Sequence, residues 1–247
     1  MSWFGFGGKN RARKKAAAKA QGALAEFYQR DEKLRQKFAA SASKSGATNK
    51  SSKASNNRAT NKSSDPKFAT HLLAVDIETT GFDPQTDRML SIGWVPITNG
   101  AIELEGAGHV VLGSKTARQD SVGESATIHG ITDDMLAEGV SLEEGLGIFL
   151  QALAGRTMLA HFAELETKFL NHACEQQFGA PLIVATVDTM AREYDAITTT
   201  GRDPGRDELR LWNLRETYGL PTYKAHHALT DALACAELWI AQAAHRR

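Results

Sequence analysis

The chain reads as an α/β fold built around a sheet of mixed strand direction. Three features predict it: three apolar runs in succession, an Asn99-Gly100 hairpin signal between the second and third, and a later alternation of apolar runs with helical patterns. The first run, residues 71–77, contains Leu72-Leu73-Ala74-Val75, the pattern of a buried strand. The second spans 89–97, where Pro96 predicts the end of a strand or an edge position. The third spans 101–112. Ser141 then opens a helix as its N-cap, Glu144 completes a capping box, and Gly155 stops the helix after Ala154. Residues 157–160 form a short strand, 164–178 a helix closed by Gly179, and 182–187 a fifth strand. Helical patterns fill 189–194, 208–218 and 228–244.

This domain, 67–247, is preceded by a different kind of sequence. Residues 12–40 favour a helix through Ala16, Ala17, Ala18 and a high Lys, Glu and Gln content. Leu24, Phe27, Tyr28, Leu34 and Phe38 give it a thin apolar stripe, which fits a solvated helix or one that docks on a partner or membrane surface. Residues 41–66 are Ser, Ala, Lys, Asn and Thr with little to bury, the composition of a flexible linker. The zero net charge conceals an asymmetry: residues 1–67 hold 16 Lys and Arg against 4 Asp and Glu, the remainder 13 against 25. A basic arm, 1–40, is thus joined to an acidic domain, and such an arm suits nucleic acid, an anionic membrane surface or an acidic partner. The two cysteines, Cys174 and Cys235, lie in helical patterns without metal-ligand spacing and are expected to be reduced core thiols of a cytoplasmic protein. No stretch approaches the roughly 18 apolar residues of a membrane span, and no secretory signal is expected.

The chemistry centres on Asp76-Ile77-Glu78-Thr79-Thr80-Gly81. Residues two apart on a strand share a face, so Asp76 and Glu78 project together from the end of an apolar strand. Burying two such charges costs several kcal/mol or shifts their pKa values. A divalent cation held between them removes both penalties, and oxygen donors favour Mg²⁺ or Mn²⁺. The plainer reading is a strand that ends in a solvated acidic turn. Further on, His226 and Asp231 open the last helix, with His226 in the preceding loop and Asp231 in the first turn. There Asp231 can serve the helix dipole alone or reach a cation, and His226 can take a proton near neutral pH.

The Asp76-x-Glu78 stretch resembles the first motif of the DEDDh, or DnaQ-like, 3′–5′ exonucleases, and His226-x-x-x-x-Asp231 resembles their third. The sequence Leu159-Ala160-His161-Phe162-Ala163-Glu164-Leu165-Glu166 is similar to the second motif, usually His-Asn-Ala-x-Phe-Asp. The stretch Thr127-Ile128-His129-Gly130-Ile131-Thr132 resembles a loop common in the group, and Val187-Asp188-Thr189 its fifth strand end. The similarity covers about residues 67–245 and is closest to proofreading exonucleases of the polymerase III epsilon type. It implies a ribonuclease-H-like fold with a five-stranded sheet, the second strand antiparallel, flanked by helices. It also implies a pair of Mg²⁺ or Mn²⁺ ions held by Asp76, Glu78, Glu166 and Asp231, with His226 as general base. The terminal nucleotide would meet Thr79, Thr80, His129 and Phe162. The expected activity is release of nucleoside 5′-monophosphates from single-stranded or frayed DNA 3′ ends. RNA ends or short oligonucleotides are the alternative substrates, and a polymerase is a possible partner for the arm.

The second motif departs from the family pattern, with Glu166 for the usual aspartate and Phe162 for the asparagine. The added methylene moves the carboxylate about 1.5 Å outward, at a scale to which catalytic geometry is sensitive. A weakened site that only binds nucleic acid is therefore the competing reading. Glu164, two residues earlier, points to another helical face and ranks below Glu166. His161 is expected to be a satisfied core histidine, while His71, His109, His172 and His245 stand outside any motif. Arg192, Arg202, Arg206, Arg210, Arg215 and Lys224 are expected either to rim the site and grip phosphates or to form a solvated charged face.

Overall fold

A computed structural model describes residues 70–113 and 130–245. The arm, the linker and His129 lie outside these residues. Among the described residues six strands form one sheet: β1 (His71–Thr79), β2 (Met89–Thr98), β3 (Ala101–Ile102), β4 (Gly108–Val111), β5 (Thr157–Ala160) and β6 (Thr186–Asp188). Their order is β3-β2-β1-β5-β6, and β4 also pairs with β2. Strand β2 is antiparallel to β1, β3 and β4, whereas β5 and β6 run parallel to β1. Thus β2 is the single reversed strand, as the resemblance implied.

The third apolar run is two strands, not one, which makes six strands where five were expected. A 3₁₀ turn, Leu104–Gly106, interrupts it. The chain passes close over β2 here: a Cβ on Gly108 would fall 2.2 Å from the Trp94 ring. Pro96 does not end β2 and is not at the sheet's edge. Its carbonyl accepts from Glu103 N at 2.9 Å, so its missing N–H also faces the gap between β3 and β4, where no ladder bond is lost.

The helices are α1 (Asp133–Glu138), α2 (Leu142–Leu153), α3 (Glu164–Phe178), α4 (Thr189–Thr198), α5 (Leu211–Thr217) and α6 (Ala228–His245). Ser141 caps α2 by accepting from Glu144 N, and Gly179 closes α3 in the left-handed conformation at φ 71°. Helix α1, capped by Thr132, was not anticipated; it is too short to establish a period. Strand β6 is shorter than the apolar run that predicted it.

Period-two alternation divides the core. Leu73, Val75 and Ile77 face Phe149 and Leu150 of α2 and Phe169 and Leu170 of α3. Leu72 and Ala74 face Ala232, Cys235, Ala236 and Trp239 of α6. Asp76 and Glu78 continue this second series, so the strand that builds the core also aims both carboxylates at the α6 side. Gly93, opposite Asp76 in the β1–β2 register, lets α6 come close. A Cβ there would lie 2.3 Å from the backbone of Ala228 and Leu229. The parallel strands β1, β5 and β6 end at a common edge of the sheet, and their last residues and following turns form the candidate site.

Candidate active site

Asp76, Glu78 and Asp231 each offer a carboxylate oxygen within 4.8 Å of the others. Asp76 and Glu78 come from the end of β1. The pairing slips after Glu78, with Glu78 opposite Ser91 but Thr79 opposite Met89, so β2 carries one extra residue there. Such irregularities re-aim side chains at the ends of sheets. Asp231 lies in the first turn of α6, at the start of the stripe that continues through Cys235 and Trp239 into the core.

Glu166 lies in the first turn of α3. Its charge acts on Asp76 more strongly than that of Asp231 or Glu78. At 2% exposure it is deeply buried, whereas Glu164 is exposed and paired with Lys168. Of the two, only Glu166 faces inward.

Burial dominates the electrostatics. Desolvation, then the negative charges of Glu166, Asp231 and Glu78, hold the Asp76 carboxyl well above its ordinary range. Glu78 is pushed up to about 8 by burial and by Asp231, and Glu166 to about 8 by burial with Asp188 adding to it. Asp231 rises to about 6, because burial outweighs the backbone N–H of His226 and the charges of His226, His227 and Arg215.

Glu166 Oε2 and Asp231 Oδ1 are buried and meet no hydrogen-bond donor among the described residues. Carboxylates gathered this way carry a desolvation cost that cations offset, and an all-oxygen donor set suits hard divalent ions. The residues fit such a group: Asp76, Glu78 and Asp231 stand close enough to share one ion.

His226 precedes α6, with its side chain exposed. Its backbone is left-handed at φ 66°, and its N–H donates to Asp231 Oδ2 at 3.0 Å. Asp231 thereby holds the His226 backbone with one oxygen, while its other oxygen is buried and meets no donor among the described residues. The His227 carbonyl accepts from Asp231 N at 3.0 Å, and its ring lies tilted against that of His109, ring centroids 4.7 Å apart. This places His109 beside the site, although its sequence surroundings showed no motif; the long-range β2–β4 pairing brings it there. His161 is a satisfied core histidine, hydrogen-bonded to Thr189 Oγ1 at 2.8 Å and the Leu209 carbonyl at 2.9 Å.

Thr79 and Thr80 follow the carboxylates at the end of β1. Thr79 Oγ1 donates to the Gly81 carbonyl at 2.6 Å. Thr80 Oγ1 closes the turn by accepting from Arg88 N at 3.0 Å and donating to Asp87 Oδ1 at 3.3 Å. Phe162 lies between β5 and α3, left-handed at φ 70° and 46% exposed.

Four of the six basic residues between 192 and 224 are engaged within the protein. Arg202 binds Glu208 through both terminal nitrogens at 2.6 Å, and Arg210 pairs with Asp207. Arg192 stacks on Trp239. Arg215 is buried at 1% exposure, its Nη1 donating to Ala234 O and its Nη2 to Pro221 O. Arg206 and Lys224 remain exposed.

Two further residues shape the site. Asp188 accepts from Phe162 N and Ala163 N at 3.1 and 2.9 Å, and from Met190 N and Ala191 N at 2.8 and 3.3 Å. An Asp ahead of a helical run was the available signal for half of this role. Gly93 is the other, and an isolated glycine inside a strand pattern is a known sign of close backbone approach.

A mixed sheet in this order, flanked by helices and carrying a carboxylate cluster at the end of its central strand, defines a ribonuclease-H-like nuclease. The RNase_T exonuclease model matches residues 73–239, and the chain belongs to that family. It is 32% identical over 187 residues to DNA polymerase III subunit epsilon of Treponema pallidum (strain Nichols), spanning 72% of this chain and 80% of that protein. It is 33% identical over 184 residues to the PolC-type DNA polymerase III of Thermotoga maritima, spanning 73% of this chain but 12% of that protein. Among solved structures, the nuclease domain of 3′hExo, a DEDDh family member bound to rAMP, matches with TM-score 0.60 at 17% identity, over 72% of this chain and 94% of that one. Escherichia coli Exonuclease I with a dT13 oligonucleotide matches with TM-score 0.58 at 17% identity, over 69% and 40%. At these identities the structural likeness concerns the fold.

Proposed function

We propose that the protein is a 3′–5′ exonuclease that removes nucleoside 5′-monophosphates from single-stranded or frayed DNA ends. On this reading Asp76, Glu78, Glu166 and Asp231 hold two Mg²⁺ or Mn²⁺ ions. When bound, the ions supply positive charge against the phosphate and acidify water. The carboxylates position them, and their burial keeps bulk water from screening that charge. His226 takes the proton of the attacking water; its exposed ring leaves room for substrate, and its backbone tie to Asp231 holds it beside the cluster. Thr79 and Thr80 then border the terminal sugar.

The observation that carries the reading is the convergence of three carboxylates within 4.8 Å, with Glu166 set against Asp76. Similarity to an epsilon subunit supports DNA and a polymerase as partner, the basic arm being a candidate tether. Both cysteines are free and buried, which fits a cytoplasmic setting, and no helix of the described residues is long and apolar enough to cross a membrane.

The test is product analysis with 3′- and 5′-labelled DNA oligomers, with and without divalent ion. Stepwise shortening from the 3′ end is expected, requiring Mg²⁺ or Mn²⁺ and absent in Asp76→Ala and Asp231→Ala. Metal-independent release, or cleavage that starts internally, would contradict it. RNA ends are the second reading, favoured by a neighbour whose nuclease domain binds rAMP; faster shortening of RNA of the same sequence would select it. Binding without release under any divalent ion would instead fit a weakened module, which Glu166 and Phe162 favour.

A further inference from the structure

The start of α6 sits in a saddle of the sheet. Asp76, Gly93 and His109 stand side by side across β1, β2 and β4 in the strand register. Residues directly opposite on neighbouring strands share a face, so His109 lies with Asp76 on the α6 side. Gly93 between them has no side chain, and the backbone of Ala228 and Leu229 occupies the space a Cβ would take. Asp76 therefore flanks the start of α6 on one side and His109 on the other. Just ahead of Ala228, the His227 ring rests against the His109 ring at an angle of 41°. His109 Nε2 is buried and meets no hydrogen-bond partner among the described residues. Burial, then the charge of His227, lower the His109 pKa, so its ring stays neutral near neutral pH. What His109 offers His227 is a flat surface rather than a charge. The residue before His227 needs such support: the His226 backbone is left-handed at φ 66°, a conformation uncommon outside glycine that persists where the surroundings enforce it. The Asp231 carboxylate restrains its N–H, and the contact between His109 and His227 restrains the residue that follows it.

We propose that His109 is a positioning residue for His226: its ring is the prop on which His227 rests, and that contact holds the turn that keeps His226 beside Asp231. This rests on the exonuclease reading, in which His226 takes the proton of the attacking water, and adds to it a residue from a distant strand. The carboxylates do not depend on the prop. Asp76 and Glu78 are set by β1, and Asp231 by the stripe of α6 that enters the core. Loss of the His109 ring therefore loosens the proton acceptor and leaves the carboxylates in place.

The test is steady-state kinetics of the full chain on a labelled DNA oligomer in Mg²⁺, with His109→Ala, His109→Phe, His226→Ala and the double variant His109→Ala/His226→Ala. His109→Ala is expected to lower kcat on the order of 10-fold, the scale at which supporting residues act, with KM little changed. His109→Phe keeps a flat ring and should recover most of that loss. Residues that act as a unit are not additive, so His109→Ala should add little further loss once His226 is already alanine. A His109→Phe variant as slow as His109→Ala, or an equal loss from His109→Ala in both backgrounds, overturns the proposal. Amide hydrogen exchange separates its failure from that of the exonuclease reading. His109→Ala should speed exchange in the segment 222–228 while β1 stays protected. Faster exchange there in a chain that releases no nucleotide keeps the prop and removes the exonuclease; unchanged exchange overturns the prop whatever the activity.

Discussion

Arg215 Nη2 lies 2.8 Å from Glu237 Oε2, a charge contact that ties α5 to α6. The same guanidinium bonds Pro221 O and Ala234 O and lies 4.7 Å from the centre of the Tyr223 ring. Tyr223 Oη in turn donates to Glu237 Oε1 at 2.9 Å. The segment leading to His226 is thus fastened to the helix that carries Asp231. Breaking one partner of a buried pair costs about 3 kcal/mol or more, and Glu237 is partly exposed, so Arg215→Met should destabilise by roughly 2–3 kcal/mol on this basis. Activity at a temperature where the variant stays folded should fall on the order of 10-fold, as for other residues that support a site at second hand. Urea unfolding and nuclease assays on the same preparation check both.

The carboxylate cluster sets the pH response. Glu78 and Glu166 keep their protons to about pH 8 in the folded chain, against an ordinary value of 4.5. Between these limits the folded state binds more protons than the unfolded state. Without divalent ion, this contribution to stability is therefore complete below about pH 4.5 and is lost as pH rises through 8. A cation must displace those protons, so its affinity should increase over the same interval. Thermal unfolding from pH 6 to 8.5, with and without Mn²⁺, is expected to show a stabilisation by metal that grows with pH. A metal effect that shrinks with pH would contradict the assignment of these carboxylates as ligands.

Gly93→Ala should displace α6. The added methyl group would meet backbone atoms of Ala228 and Leu229 at 2.3 Å, and backbone cannot rotate aside as a flexible side chain can. Overpacking of this kind costs about 1–3 kcal/mol. Asp231 moves with the helix, and a shift near 1 Å can cost about 100-fold in rate. Comparing unfolding free energy with Mn²⁺ affinity separates loss of fold from loss of alignment.

Glu166 gives the sharpest test of the second motif. Glu166→Gln keeps shape and removes charge, so metal affinity and activity should both fall, the latter by about 100-fold or more. Glu166→Asp withdraws the carboxylate by about 1.5 Å. If α3 is set for glutamate, Glu166→Asp should lose about 10- to 100-fold in activity, despite restoring the residue type more usual in the family. Calorimetric Mn²⁺ titration alongside the activity assay measures both effects.

Much of this was legible in the sequence, for local reasons. Ser141, Gly155 and Gly179 mark helix ends through chemistry that acts within a turn, and Asp76 and Glu78 share a face through the strand period alone. His226 and Asp231 could be assigned to loop and helix from adjacent residues. The misread features depend on distant contacts. Arg215 looked like a surface base because nothing near it in sequence indicates that Glu237, Pro221 and Tyr223 enclose it. The 101–112 run looked continuous because its interruption follows from Trp94 and Pro96 on the neighbouring strand. His109 gains a partner only when β4 joins the sheet beside His227.

Asp188 has a mechanical implication. A single carboxylate holds the first turn of α4 and the entrance to α3, so these two pieces have little freedom to slide past each other. Helix α3 cannot readily be translated to retune where Glu166 reaches. The remaining adjustable length is the side chain itself, which makes the extra methylene of Glu166 the lever by which this scaffold can set how far that carboxylate reaches.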